Sequence, residues 1–144
     1  MRELVIPTTE EGSMEFKQWL ADKYGFDVRN YHQAAYGYGV VKDDLVVGAA
    51  VLQPFFTPGN YLVSLSSEDP RLFFSKKLVI KALTVPFHPP FNAHKLTFII
   101  NTKYYRTIEV ALRLGFRGEG ILSHHFGEED ATILGLLRSQ MMEA

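Results

Sequence analysis

The sequence contains no cysteine among its 144 residues. This absence excludes disulfide bonds, thiolate nucleophiles and sulfur-ligated zinc or iron–sulfur centres. No apolar stretch is long enough to cross a bilayer, and the first residues, MRELVIPTTEEG, lack the apolar core of an export signal. We therefore expect a cytoplasmic protein with no membrane partner. The length suits one domain spanning residues 1–144.

Glycine and acidic residues are scarce in the middle of the chain. No glycine lies between Gly59 and Gly115, and Glu109 is the only acid between residues 71 and 117. The basic residues of that span are Arg71, Lys76, Lys77, Lys81, Lys95, Lys103, Arg106, Arg113 and Arg117. Such a segment would face a nucleotide cofactor or a nucleic acid, or form a solvated basic surface. Nucleic-acid binding is the least favoured, because aromatic–basic interleaving and a helix-turn-helix pattern are both absent.

Apolar periodicity and turn residues predict an alternation of strands and helices. Thr8 with Glu11 has the form of a capping box, although Gly12 and Ser13 allow a later helix start. Gly25 is a helix stop, and Ser66 or Ser67 can cap a later helix. A loop is predicted at Pro54, Pro58, Gly59 and Asn60. The predicted strands are 2–6, 34–42, 45–52, 61–65, 96–100 and one from Phe116, and the predicted helices follow Pro7, span 71–85 and begin near Thr107. The apolar residues after Asp130 suit either a helix or a strand.

The stretch TIEVALRLGFRGEG carries the most specific pattern in the chain. Ile108, Ala111, Leu112 and Gly115 recur at helical spacing and predict one buried face that ends at Gly115. Together with the following Glu119-Gly120, the run Arg113-Leu114-Gly115-Phe116 resembles the end of the GNAT superfamily of N-acetyltransferases. There a helix closes on K/R-L-G-F and is followed by a strand carrying E-G.

This resemblance implies an α/β (α+β) fold with a GNAT-like mixed, mostly antiparallel sheet of about seven strands and helices on both faces. Asp130 matches the acidic position that begins the family's last strand, so the resemblance favours a strand there. The implied activity is transfer of an acetyl group from acetyl-CoA to an amine of a protein or small molecule. A homodimer is also compatible with the family.

The resemblance implies a cofactor site between the fourth strand and the helix that follows it. The family's Q/R-x-x-G-x-G/A loop has no counterpart, because its glycine positions fall near Arg71 and Phe73. Basic residues at the helix start would then replace the glycine loop in binding pyrophosphate. The family's conserved serine falls on Thr107, and its asparagine falls on Tyr104, with Asn101 three residues earlier. The implied cofactor-binding residues are Ser64, Leu65, Arg71, Phe73, Lys76, Tyr104 and Thr107.

Catalytic candidates follow from the chemistry of acyl transfer to an amine, which needs a base for the ammonium and an acid for the leaving thiolate. The family's general-acid tyrosine position is Ala111, so Tyr104 or Tyr105 is the remaining proton donor. The candidate bases are Glu68, Asp69, His88, His94 and Glu119, of which Glu68 is preferred. His124 and His125 are neighbours on a strand and point to opposite faces, so we expect no metal site.

An alternative hypothesis is that the protein has the GNAT fold but is catalytically degenerate and has a structural or host-interaction role. The closing R-L-G-F and E-G resemble those of small divergent GNAT domains encoded by tailed bacteriophages. In such a module we expect Phe73, Phe74 or Tyr104 to fill the cofactor cleft.

Overall fold

Strands and helices alternate along the computed structural model, which describes residues 2–68 and 76–143. The strands are β1 (Arg2–Val5), β2 (Tyr36–Lys42), β3 (Leu45–Phe55), β4 (Thr57–Ser67), β5 (Lys95–Asn101), β6 (Arg117–Phe126) and β7 (Glu129–Leu137). The helices are α1 (Glu10–Tyr24), α2 (Lys76–Thr84), α3 (Tyr105–Arg113) and α4 (Arg138–Glu143), and 3₁₀ turns occupy Val28–Asn30 and Val85–Phe87. None of the helices in the described ranges has the length and apolarity to cross a membrane.

The described strands form one seven-stranded sheet in the order β1-β2-β3-β4-β5-β7-β6. The pairs β1–β2, β2–β3, β5–β7 and β6–β7 are antiparallel, and β4 pairs with β5 in parallel. The parallel ladder runs from Asn60 opposite Lys95 to Leu62 opposite Thr97. This mixed, mostly antiparallel sheet confirms the predicted fold class. The predicted interior position of the fifth strand is also correct.

The chain divides into two compact units. The first unit comprises Met1–Pro54 and Val63–Val85, and the second comprises Phe55–Leu62 and Pro86–Ala144. β4 contributes to both, because its first half pairs with β5 and its second half belongs to the first unit.

Helix α1 packs its apolar face into the core of the first unit. Phe16 and Leu20 are buried there with Ala35, Ala49 and Val51. The N-cap is Thr9, whose hydroxyl accepts a hydrogen bond from Gly12 N at 3.1 Å, and not the predicted Thr8. Gly25 ends the helix in the left-handed conformation at φ 72°, as predicted.

Two tight hairpins join β2, β3 and β4. Asp43 and Asp44 both have positive φ, 51° and 63°, which is the requirement of a type I′ turn between antiparallel strands. The second hairpin replaces the loop predicted around the prolines: β3 runs through Pro54, and β4 includes Pro58. Only Phe56, at φ 64°, separates the two strands.

The second unit is centred on β5, β7 and helix α3. Phe98 of β5 stacks on Phe116 with ring centroids 4.8 Å apart, and Phe116, Leu134 and Leu136 are buried. Ala111 is the buried residue of α3, whereas Leu112 is 47% exposed, so the predicted buried face is narrower than its spacing indicated. Gly115 has φ 110° and lies where the chain turns from helix to strand, as predicted.

Several predicted boundaries need correction. Ser66 and Ser67 are the last residues of β4 and do not begin a helix. The helix predicted over about 71–85 ends at Thr84, where the 3₁₀ turn Val85–Phe87 follows, and its predicted start near Arg71 lies outside the described residues. The element after Asp130 is the strand β7, as the resemblance implied, and the short helix α4 after it was not predicted.

Candidate functional site

The turn between β5 and α3 is built on Asn101. Its side-chain oxygen accepts a hydrogen bond from Lys103 N at 3.0 Å, and its backbone carbonyl accepts one from Tyr104 N at 3.0 Å. Its amide nitrogen donates to Glu129 Oε2 at 3.1 Å. Asparagine suits this position because its short side chain closes turns against the backbone two residues on. Asn101 therefore determines where α3 begins, a role that the sequence analysis did not assign to it.

Tyr104, Tyr105 and Thr107 lie together at the start of α3. Tyr104 is the N-cap residue, and its side chain makes no capping hydrogen bond to the helix. The two tyrosines are 54% and 59% exposed. First-turn backbone N–H groups without a side-chain cap are available to an acceptor atom of a ligand, and the helix dipole favours negative charge there.

Lys103 adds a positive charge beside this helix start. Its Nζ lies 5.3 Å from the centroid of the Tyr104 ring and 3.3 Å from the carboxylate of Glu129. Thr102 continues the connection to β7, since its backbone N donates to Asp130 O at 3.0 Å. The start of α3 is thus held to β7 by backbone and side-chain contacts.

Ser64, Leu65 and Glu68 lie at the end of β4 in the first unit. Ser64 and Leu65 are half-buried, and the Leu65 carbonyl accepts a hydrogen bond from the Tyr24 hydroxyl at 2.5 Å. Glu68 N donates to Val47 O at 2.8 Å, and the Glu68 carboxylate pairs with Lys23 Nζ at 2.9 Å. A role for Glu68 as base requires this partly exposed ion pair to open.

Part of the predicted cofactor site falls outside the described residues. The structure does not describe residues 69–75, which include the predicted residues Asp69, Arg71, Phe73 and Phe74. Lys76 is the first residue of α2, and its side chain is likewise not described. The exposed Lys77 and Lys81 make α2 a basic helix with no acidic residue.

The remaining candidate bases that the structure describes are Glu119, His94 and His88. Glu119 lies at a bulge of β6 and reaches over Gly135 of β7 to Lys95 of β5, whose Nζ is 2.7 Å from Glu119 Oε1. The E-G pair of the motif therefore supports the sheet. His94 N donates to Gly59 O at 2.8 Å, and His88 is exposed in the loop before β5.

The histidine pair lies at the far end of β6. His124 has φ 55°, and its backbone N donates to Asp130 Oδ1 at 2.9 Å. His125 makes an edge-on contact with Phe126 at a centroid distance of 4.8 Å. This arrangement ties the end of β6 to the start of β7.

Within each unit, the structure brings some of the predicted residues together. In the second unit, Tyr104, Tyr105 and Thr107 share the start of α3. In the first unit, Glu68 and Leu65 each contact α1, through Lys23 and Tyr24. Tyr24, which the sequence analysis did not single out, is 52% exposed, and its hydroxyl donates a hydrogen bond to Leu65 O of β4. The spacing alone contains no signal for that contact.

Solved structures with a similar fold are spermidine N-acetyltransferases of Vibrio cholerae. Mutant forms of the spermidine/spermine N-acetyltransferase SpeG match with a TM-score of 0.75 at 16% identity, covering 99% of this chain and 96% of theirs. The complex of this enzyme with CoA and spermine matches with a TM-score of 0.70 at 14% identity, covering 98% of each chain. A dodecameric form matches at 0.71 and 17% identity over 95% of each chain.

No protein-family model matches the sequence, and no curated protein matches it either. The structural match extends over nearly the whole chain. The chain therefore has the fold of the GNAT N-acetyltransferases.

Proposed function

We propose that this protein is a GNAT-type N-acetyltransferase that transfers the acetyl group of acetyl-CoA to an amine. The observation that carries the proposal is the match over 99% of the chain to an enzyme of that activity. A second match, a structure in complex with CoA and spermine, supports both a CoA cofactor and an amine acceptor. A cytoplasmic location and self-association are part of the same proposal.

The charges of the described residues fit a polyanionic cofactor. Lys77 and Lys81 of α2 are exposed, and no acid on that helix opposes them. α3 begins without a side-chain cap and has Lys103 beside it. Helix starts and lysines are the groups that bind phosphates where a glycine loop is missing. We propose Ser64, Leu65, Arg71, Phe73, Lys76, Tyr104 and Thr107 as the cofactor-binding residues.

The proposed chemistry moves protons at both the nitrogen and the sulfur. A carbon–nitrogen bond forms between the amine and the acetyl carbon, and the carbon–sulfur bond breaks. The ammonium loses two protons, the departing thiolate gains one, and the other is released to solvent through the base. We propose Glu68 as the base and Tyr104 or Tyr105 as the proton donor. A positioned acid or base contributes about 10²- to 10⁴-fold in rate.

Calorimetric titration of acetyl-CoA, with CoA as the control ligand, tests cofactor binding directly. We expect micromolar affinity that weakens when Arg71 and Lys76 are replaced by alanine, because phosphate binding depends on those charges. The matched control is Lys42→Ala, which removes one exposed positive charge from the end of β2. Equal weakening in the control would indicate a nonspecific charge effect.

Turnover is measured as release of free CoA. Since the protein contains no cysteine, a thiol-reactive chromophore detects only the CoA thiol. With spermidine as acceptor, either Tyr104→Phe or Tyr105→Phe should lower kcat by about 100-fold with little change in KM. Equal activity of wild type and both variants would remove the tyrosines from the mechanism.

The alternative is a catalytically degenerate GNAT-fold protein. The observations that favour it are the alanine at position 111 and the engagement of Glu68 by Lys23. This alternative predicts no binding heat with millimolar acetyl-CoA and no release of CoA. That outcome would overturn the enzymatic proposal and direct the search to protein partners.

A further inference from the structure

The ammonium group of Lys23 occupies a position with two features of an amine-binding site. Its Nζ lies 5.3 Å from the centroid of the Trp19 ring and 2.9 Å from Glu68 Oε1. An aromatic face and a carboxylate attract an ammonium by independent mechanisms, the ring quadrupole and a charge-assisted hydrogen bond. Trp19 and Glu68 together contact the primary ammonium of Lys23.

An aromatic surface begins at Tyr24, the residue after Lys23, and we define it as Tyr24, Phe26 and Tyr31. The rings of Tyr24 and Phe26 stack at 6.2 Å with an interplanar angle of 13°, and Phe26 meets Tyr31 edge-on at 5.0 Å. Tyr24 and Phe26 are 52% and 37% exposed. The surface thus offers apolar area to an alkyl chain beside a site for its charged end.

The surface is held in place by the backbone around it. The Tyr24 hydroxyl donates to Leu65 O, and Gly25 N donates to Ala21 O and Asp22 O at the end of α1. Trp19 and Tyr31 pack against the buried core of the first unit. A ligand would therefore meet a preformed surface, which reduces the entropic cost of binding.

Lys23 itself is easily displaced. The Lys23 and Glu68 side chains are 38% and 53% exposed, so both are accessible to a cation from solution. Ion pairs at this degree of exposure contribute little to stability, because water and salt screen them. A lysine side chain released from the pair keeps its charge in water.

We infer that Trp19 and Glu68 bind the ammonium of a primary alkylamine, and that Lys23 occupies this position when the amine is absent. The inference rests on the proposed function, for which it names the acceptor class as primary alkylamines with an unbranched chain. Lys23 acts as an internal competitor that sets the affinity for the acceptor. The alkyl chain contacts Tyr24 and Phe26.

The test uses the fluorescence of Trp19, the single tryptophan of the chain. Butylamine and spermidine are titrated into the protein without acetyl-CoA, and butanol serves as the uncharged probe of the same chain length as butylamine. We expect saturable fluorescence changes with the amines and none with butanol. Lys23→Ala should raise the amine affinity by up to about fivefold, because removing a competitor is worth at most the strength of a surface ion pair.

Matched variants separate competition from general charge effects. Lys23→Gln retains the length of the side chain and should tighten binding as the alanine variant does. Glu68→Gln should abolish saturation, and Lys42→Ala should leave the affinity at the wild-type value. Circular dichroism confirms that each variant is folded.

Loss of affinity, or no change, in both Lys23 variants would overturn the inference. Failure of the inference is distinguishable from failure of the proposed function, because the titration needs no cofactor. If the protein transfers acetyl groups but amines do not change the Trp19 fluorescence, the acceptor binds elsewhere. The inference would then be wrong and the proposed function would stand. If amine binding tightens in the Lys23 variants but the protein does not bind acetyl-CoA, the inferred amine site would stand and the proposed acetyltransferase activity would be contradicted.

Discussion

The hydroxyl groups of Tyr31 and Tyr38 differ in their hydrogen bonding. The Tyr38 hydroxyl donates to Ala82 O at 2.7 Å, whereas the Tyr31 hydroxyl has no hydrogen-bond partner among residues 2–68 and 76–143. A buried hydroxyl without a partner costs desolvation energy that an apolar ring avoids. Tyr31→Phe should therefore raise the free energy of unfolding by about 1 kcal/mol at neutral pH, measured by urea denaturation.

The free energy of unfolding at alkaline pH provides a second test of Tyr31→Phe. Burial raises the pKa of both phenols, with a smaller contribution from a neighbouring tyrosine in each case. Above about pH 10 the unfolded chain loses phenol protons that the folded chain retains, so stability falls as the pH rises. Tyr31→Phe should make this fall shallower. The control Tyr38→Phe should instead lose about 1 kcal/mol at neutral pH, because it leaves the Ala82 carbonyl without its donor.

Glycine is needed at position 135 because the Glu119 side chain occupies the space that a Cβ atom would take. The backbone conformation of Gly135 does not itself require glycine. A methyl group on Gly135 would overlap the Glu119 carboxylate, which lies above it on the way to Lys95. We expect Gly135→Ala to displace that carboxylate, open the ion pair with Lys95 and lower the free energy of unfolding by about 1 kcal/mol.

A double-mutant cycle measures this dependence. In a Glu119→Ala background the Gly135→Ala substitution should cost nothing, because the carboxylate that it would displace is gone. Equal costs in the two backgrounds would show that the backbone itself rejects a side chain at position 135.

The start of helix α1 shows how a capping pattern can be misplaced by one residue. Thr8 and Thr9 have the same side chain, but only Thr9 accepts a hydrogen bond from the helix, at Gly12 N. Thr9→Ala should lower the free energy of unfolding by about 1 kcal/mol, and Thr8→Ala should have no measurable effect. Thermal unfolding of the two variants decides between the positions, and a larger loss at Thr8 would favour the sequence-based capping box.

Elements with strong local signals were predicted well, and those with contradictory signals were not. Gly25 and Gly115 marked helix ends correctly because the chain adopts positive φ at both. The β3–β4 hairpin was missed because prolines usually interrupt strands and because Phe56 takes the positive φ normally given to glycine. Leu112 is exposed because the short α3 buries only a narrow stripe.

At the scale of the molecule, the fold followed from a resemblance carried by few residues. The run Arg113-Leu114-Gly115-Phe116 and the order of elements pointed to a fold that the structure confirms. Pairings between distant strands have no local sequence signal, so composition and periodicity alone would not have produced the parallel β4–β5 pair.

The candidate site was predicted less completely than the fold. Tyr104, Tyr105 and Thr107 lie together at the start of α3, whereas the contacts of Asn101, Lys23 and Tyr24 were not predicted. Those contacts are with distant parts of the chain, at Glu129, Glu68 and Leu65. A sequence pattern records spacing within an element and carries little information about such contacts.

The position of β7 between β5 and β6 has a consequence for synthesis of the protein. Both β5 and β6 leave the ribosome before β7, the strand that joins them. Until β7 emerges, the apolar β5 lacks its neighbour on that side and β6 has no partner in the sheet. Unpaired apolar strands are the segments most prone to aggregate. A nascent chain arrested at Gly127 should therefore depend on chaperones more than one that has completed β7.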